Sequence, residues 1–209
     1  MNRRSILALL AAGLAGAALP AAAASAAALS PEDQALVDRA AAYIQALHTV
    51  RGRFTQTTSN GASSSGEFYM QRPGKARFQY DPPTDLVVVS DGYNVKINDR
   101  RLQTFDQYPL GSTPLILLLA KDVRLDRGVA ITDVQQSADG FSITARDARH
   151  KTEGRITLRF GGDPMALRGW TVIDAQGVQT RVALGALTPV GALDPGLFVM
   201  RNPRDRGDR

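Results

Sequence analysis

The chain predicts a mainly β protein with some α: an antiparallel meander of about eleven strands carrying two or three helices, in a single domain. Three observations carry this. From Val50 onward the apolar period is two, where the preceding segment keeps a helical period. Gly, Pro, Asn and Asp punctuate the later chain at intervals of about ten residues. Helix-start chemistry followed by apolar residues occurs near residues 30–47 and again near 112–120.

The first residues set the compartment. Asn2-Arg3-Arg4 is a positively charged start, Ile6 to Leu19 is apolar and broken only by small residues, and A-x-A cleavage patterns end at Ala24, Ala26 and Ala28. Residues 1–28 are therefore read as a signal peptide, on a Sec or a twin-arginine route, since Arg3-Arg4 serves either. No later stretch approaches the roughly 18 to 20 apolar residues of a membrane span, so the exported chain is expected to be soluble. Removal of the signal peptide leaves about 180 residues, of which 29–200 are read as one domain, enough for one substantial core, and the charged tail 201–209 is expected to be disordered. Cysteine is absent, which excludes a lipidated cysteine, a disulfide and thiolate chemistry. The formal charge of +5 falls to +3 once Arg3 and Arg4 leave with the signal peptide. Without a concentrated basic stripe, this balance points to membrane headgroups or acidic partners and away from nucleic acid.

In chain order, Ser30-Pro31-Glu32-Asp33 supplies a cap, a first-turn proline and two acids at the positive end of a helix dipole. Leu36, Ala40, Tyr43, Ile44 and Leu47 then form one apolar stripe, and His48 closes the segment. Strands are predicted near 50–58, 65–72, 75–81, 85–91, 93–99 and 101–106. Their turns fall at Asn60-Gly61, Arg72-Pro73-Gly74, Asp91-Gly92 and Asn98-Asp99-Arg100. Gly111-Ser112-Thr113-Pro114 opens a second helix, Leu115 to Ala120, which carries no polar residue and cannot face water on every side. It is either a core helix or a lid over a cavity. Further strands are predicted near 129–136, 140–146, 154–161, 167–174 and 178–187.

Catalytic chemistry is scarce. With two histidines, no cysteine, no clustered carboxylates, no G-x-S-x-G and no phosphate loop, the chain is not read as an enzyme, and no metal or cofactor is expected. A Ser-His-Asp arrangement hidden by the fold stays open at His150, in the polar loop Asp147 to Lys151. The apolar alternation is more informative. Ala76, Phe78 and Tyr80 face away from Lys75, Arg77 and Gln79. Phe54, Phe68, Met70, Val87, Val89, Val95 and Ile97 are expected to extend that apolar face. A solid core and a sheet curved around a ligand both satisfy this pattern, which periodicity alone does not separate.

Several of these residues occur together in a known order. Phe54-Thr55-Gln56, Gly66, Arg72-Pro73-Gly74, Phe78 to Tyr80, Pro82-Pro83, Val89-Ser90-Asp91-Gly92, Gln103 and Thr113-Pro114 follow one another within residues 48–121. Leu193 to Phe198 and Asn202-Pro203 close the chain in a similar way. In this the sequence resembles the outer-membrane lipoprotein carrier (LolA) family of Gram-negative bacteria. The resemblance implies an incomplete antiparallel β-barrel covered by a lid of helices that encloses a hydrophobic cavity. The residues named above from Phe54 to Ile97 would line that cavity, and Leu36, Ala40, Leu115, Ile116, Leu118 and Leu119 would belong to the lid. Arg72 matches the arginine that holds the lid closed through hydrogen bonds to lid backbone.

The resemblance also implies a periplasmic carrier, acting as a monomer. It would take acylated lipoproteins from an inner-membrane ABC transporter and deliver them to an outer-membrane receptor or to the membrane itself. A departure follows Asp91-Gly92, where the family usually carries aromatic residues and this chain has Val95, Lys96 and Ile97. That leaves open a carrier of another lipid or glycolipid, or a sensing module of the same fold.

Overall fold

The structure is a computed structural model that describes residues 29–123, 125, 128–148, 154–174 and 177–203. The signal peptide, His150 and the end of the tail lie outside the described residues. Helix α1 spans Pro31–Ala46; Ser30 caps it by accepting from the Asp33 N–H at 3.0 Å, and Pro31 stands in its first turn. The face that α1 buries is centred on Val37, Ala40 and Ile44. Leu36, Tyr43 and Leu47 flank it, half-buried, so the predicted stripe is rotated slightly and missed Val37.

Six strands follow: β1 (Thr49–Thr58), β2 (Ser63–Gln71), β3 (Lys75–Tyr80), β4 (Leu86–Asp91), β5 (Asn94–Asp99) and β6 (Thr104–Pro109). After the connecting segment come β7 (Val129–Ser137), β8 (Gly140–Asp147), β9 (Arg155–Gly161), β10 (Ala166–Ile173) and β11 (Gln179–Leu184). All pair antiparallel in the order β6-β5-β4-β3-β2-β1-β11-β10-β9-β8-β7. Two meanders are thus joined where β1 meets β11, and β6 and β7 end the sheet without pairing to each other, which leaves the barrel incomplete. A two-residue strand β12 (Thr188–Pro189) adds to β1 beyond β11, so the single strand predicted for 178–187 divides in two.

Two local predictions are corrected. The turn after β5 lies one step later than Asn98-Asp99-Arg100. The Asp99 carboxylate accepts from the Leu102 N–H at 2.9 Å and Gln103 takes a left-handed φ of 54°, which moves β6 from 101–106 to Thr104–Pro109. The apolar helix α2 is a single turn, Ile116–Leu119, preceded by a 3₁₀ turn at Leu110–Ser112. Thr113 does not cap it, because its hydroxyl donates back to the Leu110 carbonyl at 2.9 Å.

Close packing of the N-terminal meander depends on Gly66 of β2. A Cβ there would lie 2.2 Å from the Gln79 carbonyl oxygen and 2.7 Å from the ring of Phe54, so only glycine lets that ring settle against the sheet.

Candidate functional site

The inner face of the sheet is lined with large apolar side chains from both meanders. Pairing partners share a face, so the register Val50–Met70–Ala76, Phe68–Phe78–Val88–Ile97 and Phe54–Gly66–Tyr80 places Phe54, Phe68, Met70, Ala76, Phe78, Tyr80 and Ile97 together on it. Val95 joins them opposite Ser90. From the other meander come Phe141, Ile143, Ile156, Leu158, Phe160, Trp170, Val182 and Leu184, all buried in the same core. Five aromatic rings interlock across the join: Phe54 meets Phe78 and Tyr80 edge-on at 5.3 and 4.9 Å, and Trp170 meets Phe68 and Phe78 at 6.2 and 6.0 Å. Trp170 and its neighbours did not enter the sequence-predicted lining, although the alternation of Ile156, Leu158 and Phe160 marks them as inward-facing.

Val87 and Val89 are corrected. Their partners are Gln79 and Arg77, which belong to the opposite, outer face of the sheet. They are nonetheless buried, at 2% and 0% exposure, because the C-terminal segment crosses that face and seats Phe198 there. Arg77 donates to the Leu197 carbonyl at 3.0 Å, Lys96 donates to that of Met200 at 3.2 Å, and the Lys75 ammonium stands 5.9 Å from the Phe198 ring centre. These contacts make residues 195–200 a strap outside β3, β4 and β5.

The inner face also carries polar groups: the buried Ser90 hydroxyl, which donates to the Gly74 carbonyl at 2.6 Å, and a tyrosine. The Tyr80 hydroxyl donates to Gln56 Oε1 at 2.6 Å, and burial pushes its pKa up to about 12. The phenol is therefore a neutral donor throughout the physiological range.

Over the inner face lie α1 and α2. Tyr43 of α1 sits edge-on to Phe160, with ring centres 6.0 Å apart, and Ala40, Leu118 and Leu119 are buried while Leu36, Leu115 and Ile116 are half-buried against the same core. The two helices meet at Arg72. Its guanidinium donates to the Ile44 carbonyl at the end of α1, to the Ala120 carbonyl at the end of α2 at 2.5 Å, and more weakly to those of Leu47 and Lys121 and to Gln45 Oε1. The carbonyls that end a helix carry partial negative charge and have no partners within it, so a fixed cation completes both ends at once.

Burial lowers the Arg72 pKa and the Asp122 carboxylate opposes that shift; Arg72 Nε is a buried donor without an acceptor. Gln45, not foreseen from the sequence, supports the arrangement by accepting from the Val123 N–H at 2.9 Å and donating to the Lys121 carbonyl at 3.2 Å. The Gly74 N–H donates to the Leu119 carbonyl at 2.8 Å, tying α2 to the turn that carries Arg72. The result is an aromatic interior closed by two helices whose ends are held by one side chain.

Among the described residues, no group of three or more His, Cys, Asp or Glu is placed to hold a metal ion, and no helix is long and apolar enough to cross a membrane.

Residues 45–201 match the family described as outer membrane lipoprotein carrier protein LolA. An outer-membrane lipoprotein carrier protein of Methylibium petroleiphilum is 33% identical over 160 residues, 70% of this chain and 75% of that one. One of the same name from Chromobacterium violaceum is 25% identical over 193 residues, 89% of this chain and 93% of that one. The crystal structure of the LolA superfamily protein NE2245 from Nitrosomonas europaea overlaps 80% of this chain and 97% of its own, with a TM-score of 0.46 and 8% identity.

Proposed function

Because the chain belongs to the outer membrane lipoprotein carrier family LolA, we propose that it shelters the acyl chains of lipoproteins between its sheet and its helices and carries them across the periplasm. The supporting observation is the Arg72 junction. A carrier of acyl chains must hide its apolar surface when empty and expose it when loaded. The interior here is closed by α1 and α2, whose last carbonyls share one cation.

The energetics suit this task. A lipid anchor with three acyl chains has on the order of 45 methylenes, and at about 0.8 kcal/mol each its bare passage through water would cost roughly 36 kcal/mol. Uncatalysed transfer against such a barrier is too slow to matter. A hydrogen bond from a charged donor contributes about 1.5 to 3 kcal/mol. The Arg72 contacts are therefore large enough to favour the closed form and small enough for entering acyl chains to displace. When α1 and α2 swing aside, the aromatic interior from Phe54 to Trp170 becomes the acyl-binding surface. Cargo would be received from a lipoprotein-releasing transporter in the inner membrane and passed to an outer-membrane receptor or to that membrane itself.

The test is to purify the chain from periplasm and identify by mass spectrometry what it holds. An acylated protein is expected; recovery of only a free lipid or glycolipid would replace lipoprotein cargo with that ligand. In parallel, Arg72→Leu is expected to increase binding of a fluorescent fatty-acyl probe and to alter delivery. Unchanged probe binding and delivery would remove Arg72 from the closing role.

A further inference from the structure

We propose that the outer face of β8 to β11 docks an acidic segment of a protein partner. The register sets Thr144, Thr157, Thr171 and Arg181 side by side across four strands, with Arg155 and Arg159 on the same face of β9. Together they line a groove of about 500 Å³. Next to Arg159 in its row stands Gly169, where a Cβ would meet the Val182 carbonyl oxygen at 2.1 Å, and then Ala183. The arginine therefore rises beside a trough of small residues.

Three guanidiniums share this groove with one carboxylate, Asp133, which accepts from the Gln135 amide at 2.8 Å. Among the described residues, Arg155, Arg159 and Arg181 make no side-chain hydrogen bond or ion pair, and the nearness of Arg181 adds to burial in disfavouring the charge on Arg159. Like charges left together and unpaired call for an anion. On the other half of the same face Arg53 is engaged with Asp81, and Arg77 and Lys96 with the strap, while Arg51 stands singly among the described residues at an exposed position. The strap also shows how a polypeptide lies across this sheet, giving the carbonyls of Leu197 and Met200 to the basic side chains of Arg77 and Lys96.

The occupant is polypeptide carboxylate on two grounds. The planar fork of arginine matches carboxylates in pairs, and the threonine hydroxyls add donors between the forks. The lining offers one aliphatic side chain, Ile173, and no aromatic, so nothing in it inserts into a bilayer. Docking here leaves the helices on the opposite face free to move, so the surface works independently of the cargo.

The experiment uses the full mature chain and a labelled oligo-glutamate peptide, read by fluorescence anisotropy. Salt-sensitive binding is expected, weakened about tenfold or more in Arg159→Gln/Arg181→Gln, partly restored in Arg159→Lys/Arg181→Lys, and unchanged in Arg101→Gln, an exposed arginine of the β5–β6 turn. Circular dichroism confirms the fold of each variant. Equal peptide binding by the parent and the Arg159→Gln/Arg181→Gln variant would overturn the proposal. So would arginine-dependent binding to phosphatidylglycerol vesicles, or to inorganic phosphate, without binding to the peptide. Uptake of the fatty-acyl probe is expected to be the same in parent and variant, so loss of the docking surface and loss of the carrier reading register in different measurements.

Discussion

Strands β4 and β9 occupy similar depths in the two halves of the sheet, but β4 begins Leu86-Val87-Val88-Val89 while β9 reads Arg155-Ile156-Thr157-Leu158-Arg159-Phe160. Both send one set of side chains inward to the same core. On the outer face, β4 presents valines that the strap covers, and β9 presents arginine and threonine to solvent. The unbroken apolar run is the signature of a strand covered on both sides, and strict alternation that of a strand covered on one. The N-terminal half, which carries Arg72 and the turn beneath α2, is thus braced from inside by the helices and from outside by the strap. The C-terminal half keeps its outer face available.

The strongest challenge to this division acts at the join. Phe54 is 2% exposed, pairs with Leu184 of β11, and touches aromatic rings of β3, two strands away in the sheet. Phe54→Ala is expected to cost about 3 to 5 kcal/mol and to lower one cooperative unfolding transition in calorimetry; two separate transitions would mean that the halves fold as independent units. Phe198→Ala removes the anchor of the strap and is expected to cost about 3 kcal/mol, the lower end for a buried phenylalanine, because the segment can settle onto the valines. Limited trypsin digestion should then cut faster at Arg201. If cleavage is unchanged, the strap is not held by Phe198.

Smaller effects come from the turn between lid and strap. Gly74 has a φ of +79°, and a Cβ there would lie 2.7 Å from the Gly92 Cα. Gly74→Ala is expected to cost about 1 to 2 kcal/mol from the left-handed backbone alone, measured as a shift in the urea midpoint. A stability equal to that of the parent would show that the turn rearranges freely.

The smallest effect is a titration. Burial disfavours the ionised Asp91, but the N–H groups of Asn94 and Tyr93 and the Lys96 ammonium 2.9 Å away outweigh it and hold its pKa below the ordinary value. Since the folded pKa is the lower one, this contribution is complete above the unfolded value of about 3.9 and fades as the pH falls through the folded value. Comparing urea midpoints at pH about 5 and about 3, Asp91→Asn should show a shallower loss than the parent; parallel losses would assign the acid sensitivity elsewhere.

Much of the fold was legible because β structure writes its pattern locally. Ten of the eleven predicted strands lie within a few residues of their places, and the exception, β6, moved with a turn whose carboxylate bond and left-handed Gln103 are not visible in composition. The inner face was legible in Ala76, Phe78 and Tyr80. It was misjudged at Val87 and Val89, since in a run of four apolar residues alternation has nothing to mark. The run itself was the available sign that both faces are covered. Arg72 was singled out by resemblance, while its acceptors at Ile44 and Ala120, 28 and 48 residues away, were beyond local reading.

What the sequence determined by itself is therefore periodic and short-range: two helical segments, a long antiparallel meander, and an apolar face along each strand. These follow from where each side chain points relative to its own backbone. The tertiary structure alone decided which apolar residues share an interior, because that depends on the pairing of β1 with β11, strands more than a hundred residues apart. It alone decided that one guanidinium closes two helix ends and that three others stand together unpaired. Charge and hydrogen bonding act through space between residues whose separation along the chain carries no signal of their meeting.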